Sequence, residues 1–251
     1  MLKARTDLAL EDMEISYVYD IDTIIDGMEF KKCNVDNELS KKIGKEPGQY
    51  FNIDYLDYYD NSDQIINLLT KSLNGLLNCK KDIEKILVVG LGNKTITPDS
   101  LGPLVINKIE VNRHLEEIYK YEVSAICPGV MGQTGMESSE IVSAVVNKFK
   151  FDLVIVIDAL ACNTPKRMCN SIQFTDAGIN PGAGVGNNRK KISKETLGID
   201  VIAIGIPTVC DIKVFSDEVE TSCFVTPNNI DEAMDILSNI IASSINNVLW
   251  G

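Results

Sequence analysis

The sequence predicts an α/β fold with a mostly parallel sheet, and three observations support it. Four short apolar runs of strand length each open directly into a loop rich in Gly, Pro, Asp, Asn and Thr: residues 86–91, 123–126, 153–157 and 201–206. The runs consist largely of Val, Ile and Leu, which is typical of strands that are covered on both faces. Helical stretches between the runs indicate right-handed crossovers to a parallel sheet.

The loops that follow these runs mark the candidate active site. A weaker fifth run, at residues 172–174, also opens into a Gly-rich loop. Because the carboxyl ends of parallel strands meet at one edge of a sheet, all five loops are expected to lie there together. Open α/β sheets bind their ligands at this edge.

The segments outside the core predict two packing helices and further strands. Residues 63–77 and 230–248 place apolar side chains at helical spacing. Residues 1–58 are acidic and rich in Tyr, with a clear turn at 44–48, and are expected to add strands whose order the sequence does not reveal.

Length and charge limit the class of protein. With 251 residues, we predict a single domain over 1–251, with an N-terminal extension and packing helix at 1–80 and a catalytic α/β core at 81–251. No apolar stretch reaches the roughly 18 residues that span a bilayer, and residues 1–12 are too charged for a signal peptide, so a cytoplasmic location without membrane contact is expected. The net charge of −12 argues against a nucleic-acid-binding surface.

Two residue counts exclude several kinds of site. Seven cysteines, an odd number without a C-x-x-C pair, argue against a disulfide framework or a structural zinc. The single histidine, His114, is predicted at the far end of a helix about 20 Å long that leads away from the sheet edge. This position argues against Ser-His-Asp and Cys-His sites and against a multi-histidine zinc site. Of the catalytic groups considered, the carboxyl groups of Asp and Glu remain as candidates.

Two aspartates are placed for carboxylate chemistry. Asp158 ends an apolar run, where desolvation is expected to raise its pKa. Asp99 lies in a Thr-Pro-Asp sequence at the predicted start of a helix, whose positive end is expected to lower the pKa of this carboxyl. Two carboxyl groups with pKa values separated in this way can act as acid and base on one water molecule.

Structural explanations compete with functional ones at these positions. Asp99 is also placed to cap its helix, and Thr134 with Glu137 forms a capping-box pattern. The glycines at 182–186 do not complete a phosphate-loop motif, so that match is weak. The basic residues 189–191 are typical of a solvated loop end.

Long segments spread over the whole chain resemble one known family, the germination proteases of spore-forming bacteria, which degrade small acid-soluble spore proteins. The matching segments include ARTDLALE (4–11), IGKEPGQYFNID (43–54), VVGLGNKTITPDSLGP (88–103), CPGVMGQTGMESSEIV (127–142), DLVIVIDALA (152–161), TDAGINPGAGVGNNRK (175–190), ETLGIDVIAIGIPTVCD (195–211) and FVTPNNID (224–231). The resemblance implies an endopeptidase of unusual aspartic type, an α/β/α fold similar to that of hydrogenase-maturation proteases, and a homotetramer. The family's two proposed catalytic aspartates fall on Asp99 and Asp158.

The chain also departs from the family pattern. It carries Asn180 where the family usually has His and Asn163 where the family usually has Arg. Between Asp211 and Phe224 the family generally carries a much longer insertion. The family's enzymes are made as zymogens, whereas at most four residues precede Arg5 in this sequence, so little or no removal of a pro-segment is expected.

The sequence and the resemblance together predict an endopeptidase in which Asp99 and Asp158 activate water. Loop amides are expected to bind the substrate and stabilise the oxyanion; the candidates are Asn93, Gly129, Gly132, Thr134 and Gly135. No metal or other cofactor is expected. The expected substrate is a small acid-soluble spore protein in the spore core.

Two alternatives remain open. One is a shortened sporulation protein that binds spore proteins on the same fold without cleaving them, which Asn180 and the missing insertion favour. The other is a metal-assisted endopeptidase like the hydrogenase-maturation enzymes, with Asp99 and Asp158 as ligands. Such a site would be rich in oxygen and weak for nickel or zinc.

Overall fold

One mixed sheet organises the molecule. The structure is a computed structural model that describes residues 6–9, 11, 19–115, 117, 119–186, 189–215 and 223–251. In these residues the strands are β1 (Ile21–Ile25), β2 (Met28–Val35), β3 (Gly48–Asp54), β4 (Lys85–Gly90), β5 (Glu122–Ile126), β6 (Leu153–Cys162), β7 (Ser171–Thr175), β8 (Asp200–Asp211) and β9 (Phe224–Val225). Their order is β1-β2-β3-β7-β8-β6-β4-β5, and β9 pairs with β8.

Only the strands β5, β4, β6 and β8 are mutually parallel. The α/β class is confirmed, and the expectation of a mostly parallel sheet is confirmed in part: β7 runs antiparallel to β8, and β1 to β3 continue the antiparallel part. Only a turn around Pro165–Arg167 joins β6 to β7. A parallel neighbouring strand needs a crossover of a dozen or more residues, and this connection is shorter. The chain therefore reverses its direction between β6 and β7.

The N-terminal strands join the core through the pair of β3 and β7. Phe51 lies opposite Phe174, and their rings stack with centroids 4.9 Å apart. Phe174 is fully buried, so this contact fixes the register between the extension and the core. The prediction that residues 1–58 add strands is thereby confirmed for residues 21–54.

Helices cover both faces of the parallel strands and complete three layers. The described helices are α1 (Asn37–Ile43), α2 (Ser62–Asn78), α3 (Leu101–Ile106), α4 (Met131–Thr134), α5 (Ser138–Phe149), α6 (Lys194–Leu197) and α7 (Ile230–Trp250). On β4, Ile86 and Val88 pack in the larger core with α2, α3 and α7, whereas Leu87 and Val89 pack in a second core with α5 and α6. This alternation follows from the two-residue period of a strand. Both predicted packing helices, α2 and α7, are confirmed.

The long helix predicted around His114 is wrong. Helix α3 ends at Ile106, and His114 lies exposed in a turn. The neighbouring Arg113 donates its backbone N–H to Val123, near the amino end of β5. His114 therefore lies toward the edge of the sheet opposite the carboxyl ends, as expected, although it lies in a turn and not in a helix.

In the part of the chain that the structure describes, no helix is long and apolar enough to cross a membrane.

Candidate active site

A cleft of about 370 Å³ opens at the carboxyl edge of the parallel strands. Asp99 and Asp158 both line it, so the structure brings the two predicted catalytic residues together. Asp7 and Arg189 line the same cleft. Around these charged groups the wall is largely apolar, with contributions from the loops after β4, β5 and β7, from strands β6 and β8, and from Phe224 and Thr226.

Asp158 lies within β6 and not at its end. The strand continues to Cys162, and Asp158 pairs with Gly205 of β8. The residue is only 6 % exposed, and the Ala159 N–H donates to its carboxyl group over 3.0 Å. Burial raises the pKa of Asp158 well above its usual value, and the negative charges of Asp99 and Asp7 raise it further. The predicted direction of this pKa shift is confirmed.

The Asp99 side chain stabilises its own loop through a hydrogen bond and does not cap a helix. It ends a single 3-10 turn, Thr97–Asp99, and helix α3 begins after Ser100 without a side-chain cap. The Asp99 carboxylate accepts the backbone N–H of Asn93 over 2.8 Å. The capping explanation for Asp99 is therefore wrong.

The pKa of Asp99 is raised by burial, and the Asn93 N–H and the charge of Arg189 offset part of that rise. The expectation of a lowered pKa is wrong in direction. The positive end of a helix acts on groups within its first turn, and α3 is short and starts beyond Asp99, so desolvation dominates. Asp158 is more deeply buried than Asp99 and faces the negative charges of both Asp99 and Asp7, so it remains the better proton holder of the two.

Asp7 is a third carboxyl group in the cleft, and no local sequence pattern predicts it as a site residue. Its two oxygens accept the N–H groups of Ala161 (2.9 Å) and Gly184 (2.6 Å). Burial raises its pKa. The only sequence signal was its place in the family-like segment 4–11, because no strand or helix pattern surrounds it and 150 residues separate it from Asp158.

Arg189 is the only basic side chain among the described residues that line the cleft. Its positive charge lowers the pKa of both Asp99 and Asp158 against the larger effect of burial. The interpretation of residues 189–191 as a solvated loop end is thus wrong for Arg189. It holds for Lys190 and Lys191, which pair at the surface with Glu140 and Glu46.

The loop after β7 reaches the cleft by an indirect route. Because β7 is antiparallel to β8, this loop leaves the sheet at the opposite edge from the other four. The chain then returns, with Ile179 bridged to Ile192, and residues 181, 182 and 185 form part of the cleft wall. The prediction that all five loops start at one edge is therefore corrected. From the predicted loops after β6 and β8, residues 158–160 and 208–209 line the cleft, and the structure places these residues within the strands themselves.

The candidate oxyanion and substrate-binding residues lie on two neighbouring loops. The Asn93 side-chain oxygen accepts a hydrogen bond from Gln133 over 2.8 Å, which ties the loop after β4 to the loop after β5. The N–H groups of Thr134 and Gly135 donate within the single turn of α4, to Val130 and Met131. From the segment that contains Gly129, Gly132, Thr134 and Gly135, Val130 is the residue that lines the cleft.

The predicted capping box of Thr134 and Glu137 is absent. Helix α5 begins at Ser138, and Glu137 is its N-cap residue without a side-chain cap bond. The Thr134 hydroxyl instead interacts with backbone atoms of Val130 and Met136.

Among the residues that the structure describes, no three His, Cys, Asp or Glu side chains converge as ligands of a metal ion.

Gly92→Ala is expected to destabilise the protein through the loop that holds Asp99. Gly92 has φ +110, and a Cβ atom there would meet the backbone oxygen of Asp99. We expect the free energy of unfolding to fall by about 2 to 4 kcal/mol, from backbone strain and steric overlap together. Urea denaturation measures this change.

Gly75→Ala is the matched control, because it lies inside α2 with open space around its Cβ position. It should raise the free energy of unfolding by roughly 0.5 to 1 kcal/mol. Equal stability of the two variants would mean that the Gly92 conformation is not required.

Comparison with known proteins gives one consistent family. The sequence profile described as germination protease matches residues 3–223. A germination protease from Geobacillus sp. (strain WCH70) is 42 % identical, over 88 % of this chain and 67 % of the relative. One from Clostridium perfringens (strain SM101) is 36 % identical, over 98 % of this chain and 95 % of the relative. One from Clostridium tetani is 38 % identical with the same two coverages, 98 % and 95 %.

The relatives also contain residues that this chain lacks. The alignment with the C. perfringens protein runs over 310 residues, against the 251 residues of this chain. Among solved structures, a [NiFe] hydrogenase maturation protease, HycI from Thermococcus kodakarensis KOD1, matches with a TM-score of 0.39 and 21 % identity. That match covers 66 % of this chain and 94 % of the other.

Proposed function

The chain belongs to the germination protease family and is a peptidase of spore germination, and on that premise we propose that it is an endopeptidase that cleaves small acid-soluble spore proteins. One observation carries the proposed mechanism. Two carboxyl groups, the buried Asp158 and the half-buried Asp99, line one cleft, and burial raises the pKa of both. Such a pair can hold one shared proton and work as base and acid on a single water molecule.

In the proposed first step, Asp99 is ionised and takes a proton from water while the water oxygen attacks the peptide carbonyl carbon. Asp158 gives its proton to the carbonyl oxygen, so a neutral tetrahedral diol forms. In the second step Asp99 returns its proton to the amide nitrogen, the C–N bond breaks, and Asp158 regains a proton from a diol hydroxyl. Both carboxyl groups thus return to their starting states.

Charge in the cleft supports this division of roles. Asp99 is less deeply buried than Asp158, which favours its ionised form, and Arg189 is available to balance negative charge that develops during attack. The Arg189 Nη1 atom is buried and has no hydrogen-bond partner among the described residues, so it can donate to a bound substrate. In this proposal Asn93 and the loop with Gly129, Gly132, Thr134 and Gly135 position the substrate chain at the rim of the cleft.

Membership of the family also supports the expectations that the protein acts in the spore core and forms a homotetramer. The resemblance is the basis of both, and light scattering of the purified protein would test the second. A mass of four chains would support it, and a monomer would contradict it.

The decisive experiment is incubation of the purified chain with a small acid-soluble spore protein, read by mass spectrometry. We expect internal cleavage at one or a few peptide bonds, and no cleavage by the Asp158→Asn variant. Binding without cleavage would favour the non-catalytic alternative instead. Activity that is lost on chelation and restored by a divalent metal would favour the metal-assisted alternative.

A further inference from the structure

Residues 6–9 and 11, here called the N-terminal segment, lie across the carboxyl end of β6. Asp7 exchanges two hydrogen bonds with the backbone of Ala161: its own N–H donates to the Ala161 carbonyl, and its carboxylate accepts the Ala161 N–H, each over 2.9 Å. The next two residues, Leu8 and Ala9, are fully buried, Leu8 in a cluster with Leu160 and Ala9 in a cluster with Tyr50. The segment is therefore a packed part of the core although it is far from β6 in sequence.

The Asp7 carboxylate also holds a second piece of chain. Its other oxygen accepts the N–H of Gly184, in the loop that forms one wall of the cleft. Gly184 leaves no room for a side chain here, because a Cβ atom would overlap the Asp7 carboxyl group. One carboxylate thus joins the N-terminal segment, β6 and the loop after β7.

Asp7 separates the catalytic cleft from a second cavity. A cavity of about 250 Å³ lies on its other side, and Asp7 and Leu160 line both spaces. Displacement of Asp7 would therefore open the wall beside Asp158. The other charged groups that act on Asp158 are Asp99 and Arg189, and Lys45 acts on Asp7.

We propose that Asp7 is a positioning residue of the catalytic site, which fixes the cleft wall next to Asp158 and keeps a negative charge beside that carboxyl group. This inference rests on the proposed function. It adds a third carboxyl group, one that does not touch the reacting atoms but sets the surroundings of the acid of the pair. Because a carboxylate accepts with both oxygens and an amide with only one, Asp7→Asn must lose the bond to either Ala161 or Gly184.

Two variants test the proposal from opposite sides of the contact. Asp7→Asn removes the charge and one hydrogen bond, while Gly184→Ala displaces the carboxylate and keeps its charge in the protein. We expect each to lower turnover of a small acid-soluble spore protein by roughly 10- to 100-fold, since a small misplacement of catalytic groups has effects of this size. The pKa of Asp158 should fall in both, because a nearby negative charge is removed or moved away. The alkaline limb of the pH profile should then move to lower pH.

Glu11→Gln is the matched control, since it changes a carboxyl group of the same segment outside the cleft. Glu11 accepts the N–H of Asn163 and pairs with Arg167. Loss of the Glu11 charge therefore tests how the N-terminal segment is attached to the core, without a change in the cleft. We expect this control to leave turnover and the pKa of Asp158 near their wild-type values. If Glu11→Gln lowered both as much as Asp7→Asn does, the effect would come from a detached segment and the proposal would be overturned.

The pKa of Asp158, read by carbon NMR of its carboxyl group without substrate, separates this inference from the proposed function. An unchanged pKa and unchanged turnover in folded Asp7→Asn would overturn it, and Gly184→Ala would decide if Asp7→Asn did not fold. If the wild-type protein cleaved no spore protein but the pKa of Asp158 still fell in Asp7→Asn, the role of Asp7 would be supported and the proposed function would be contradicted.

Discussion

Asp158→Asn is expected to abolish hydrolysis of small acid-soluble spore proteins while leaving the fold intact. The amide has nearly the same shape as the carboxyl group but can neither hold nor release the catalytic proton. Loss of a general acid or base lowers turnover by about 10² to 10⁴-fold. Single-turnover cleavage of the spore protein, followed by mass spectrometry, measures the change.

The stability of this variant is the internal control. An Asp carboxyl group in an unfolded chain has a pKa of about 4, whereas burial raises the pKa of Asp158 in the folded protein. Between these two pKa values the folded state keeps a proton that the unfolded chain has released, so stability present below about pH 4 is lost as the pH rises toward the folded pKa. The Asp158→Asn variant has no carboxyl group at this position, so it does not lose stability in this way as the pH rises. Urea denaturation at neutral pH should therefore show it to be at least as stable as wild type.

Asp235→Asn controls for the loss of a carboxyl group as such. Asp235 lies exposed on α7, where it pairs with Lys108 away from the cleft. Its replacement should leave turnover unchanged. If folded Asp158→Asn kept wild-type turnover, Asp158 would be structural and the proposed mechanism would fail.

The second large effect is expected from Asp99→Asn, which should lower turnover by about 10² to 10⁴-fold through loss of the base. It should also lower the pKa of Asp158, because the neighbouring negative charge that helps to raise that pKa is removed. In the wild type the two carboxyl groups should titrate as one coupled unit, and activity should be bell-shaped with pH.

An NMR titration of the Asp158 carboxyl group in wild type and Asp99→Asn, without substrate, measures this coupling directly. Asp235→Asn should leave the Asp158 titration where it is in the wild type. An unchanged Asp158 pKa in Asp99→Asn would mean that the two carboxyl groups lie too far apart to share a water molecule. The mechanism with two aspartates would then have to be abandoned.

Local sequence patterns determined much of this protein. The apolar runs became β4, β5, β6 and β8, and the helical spacing at both ends became α2 and α7. Each of these predictions depends on side chains that are neighbours in the sequence, so a short window holds the information. Asp99 and Asp158 were found in the same way, since each directly follows or ends a local pattern.

Only the tertiary structure decided the direction of β7, the surroundings of Asp99, and the presence of Asp7 and Arg189 in the cleft. Strand direction depends on the partner strand and on the length of the connection, and a short turn after β6 reversed the chain. The pKa of Asp99 depends on total burial, to which remote segments contribute, and the predicted helix end had too little influence to lower it. Asp7 lies in the cleft with Asp158 because its carboxylate accepts the buried backbone N–H groups of Ala161 and Gly184, which are 154 and 177 residues away in the sequence.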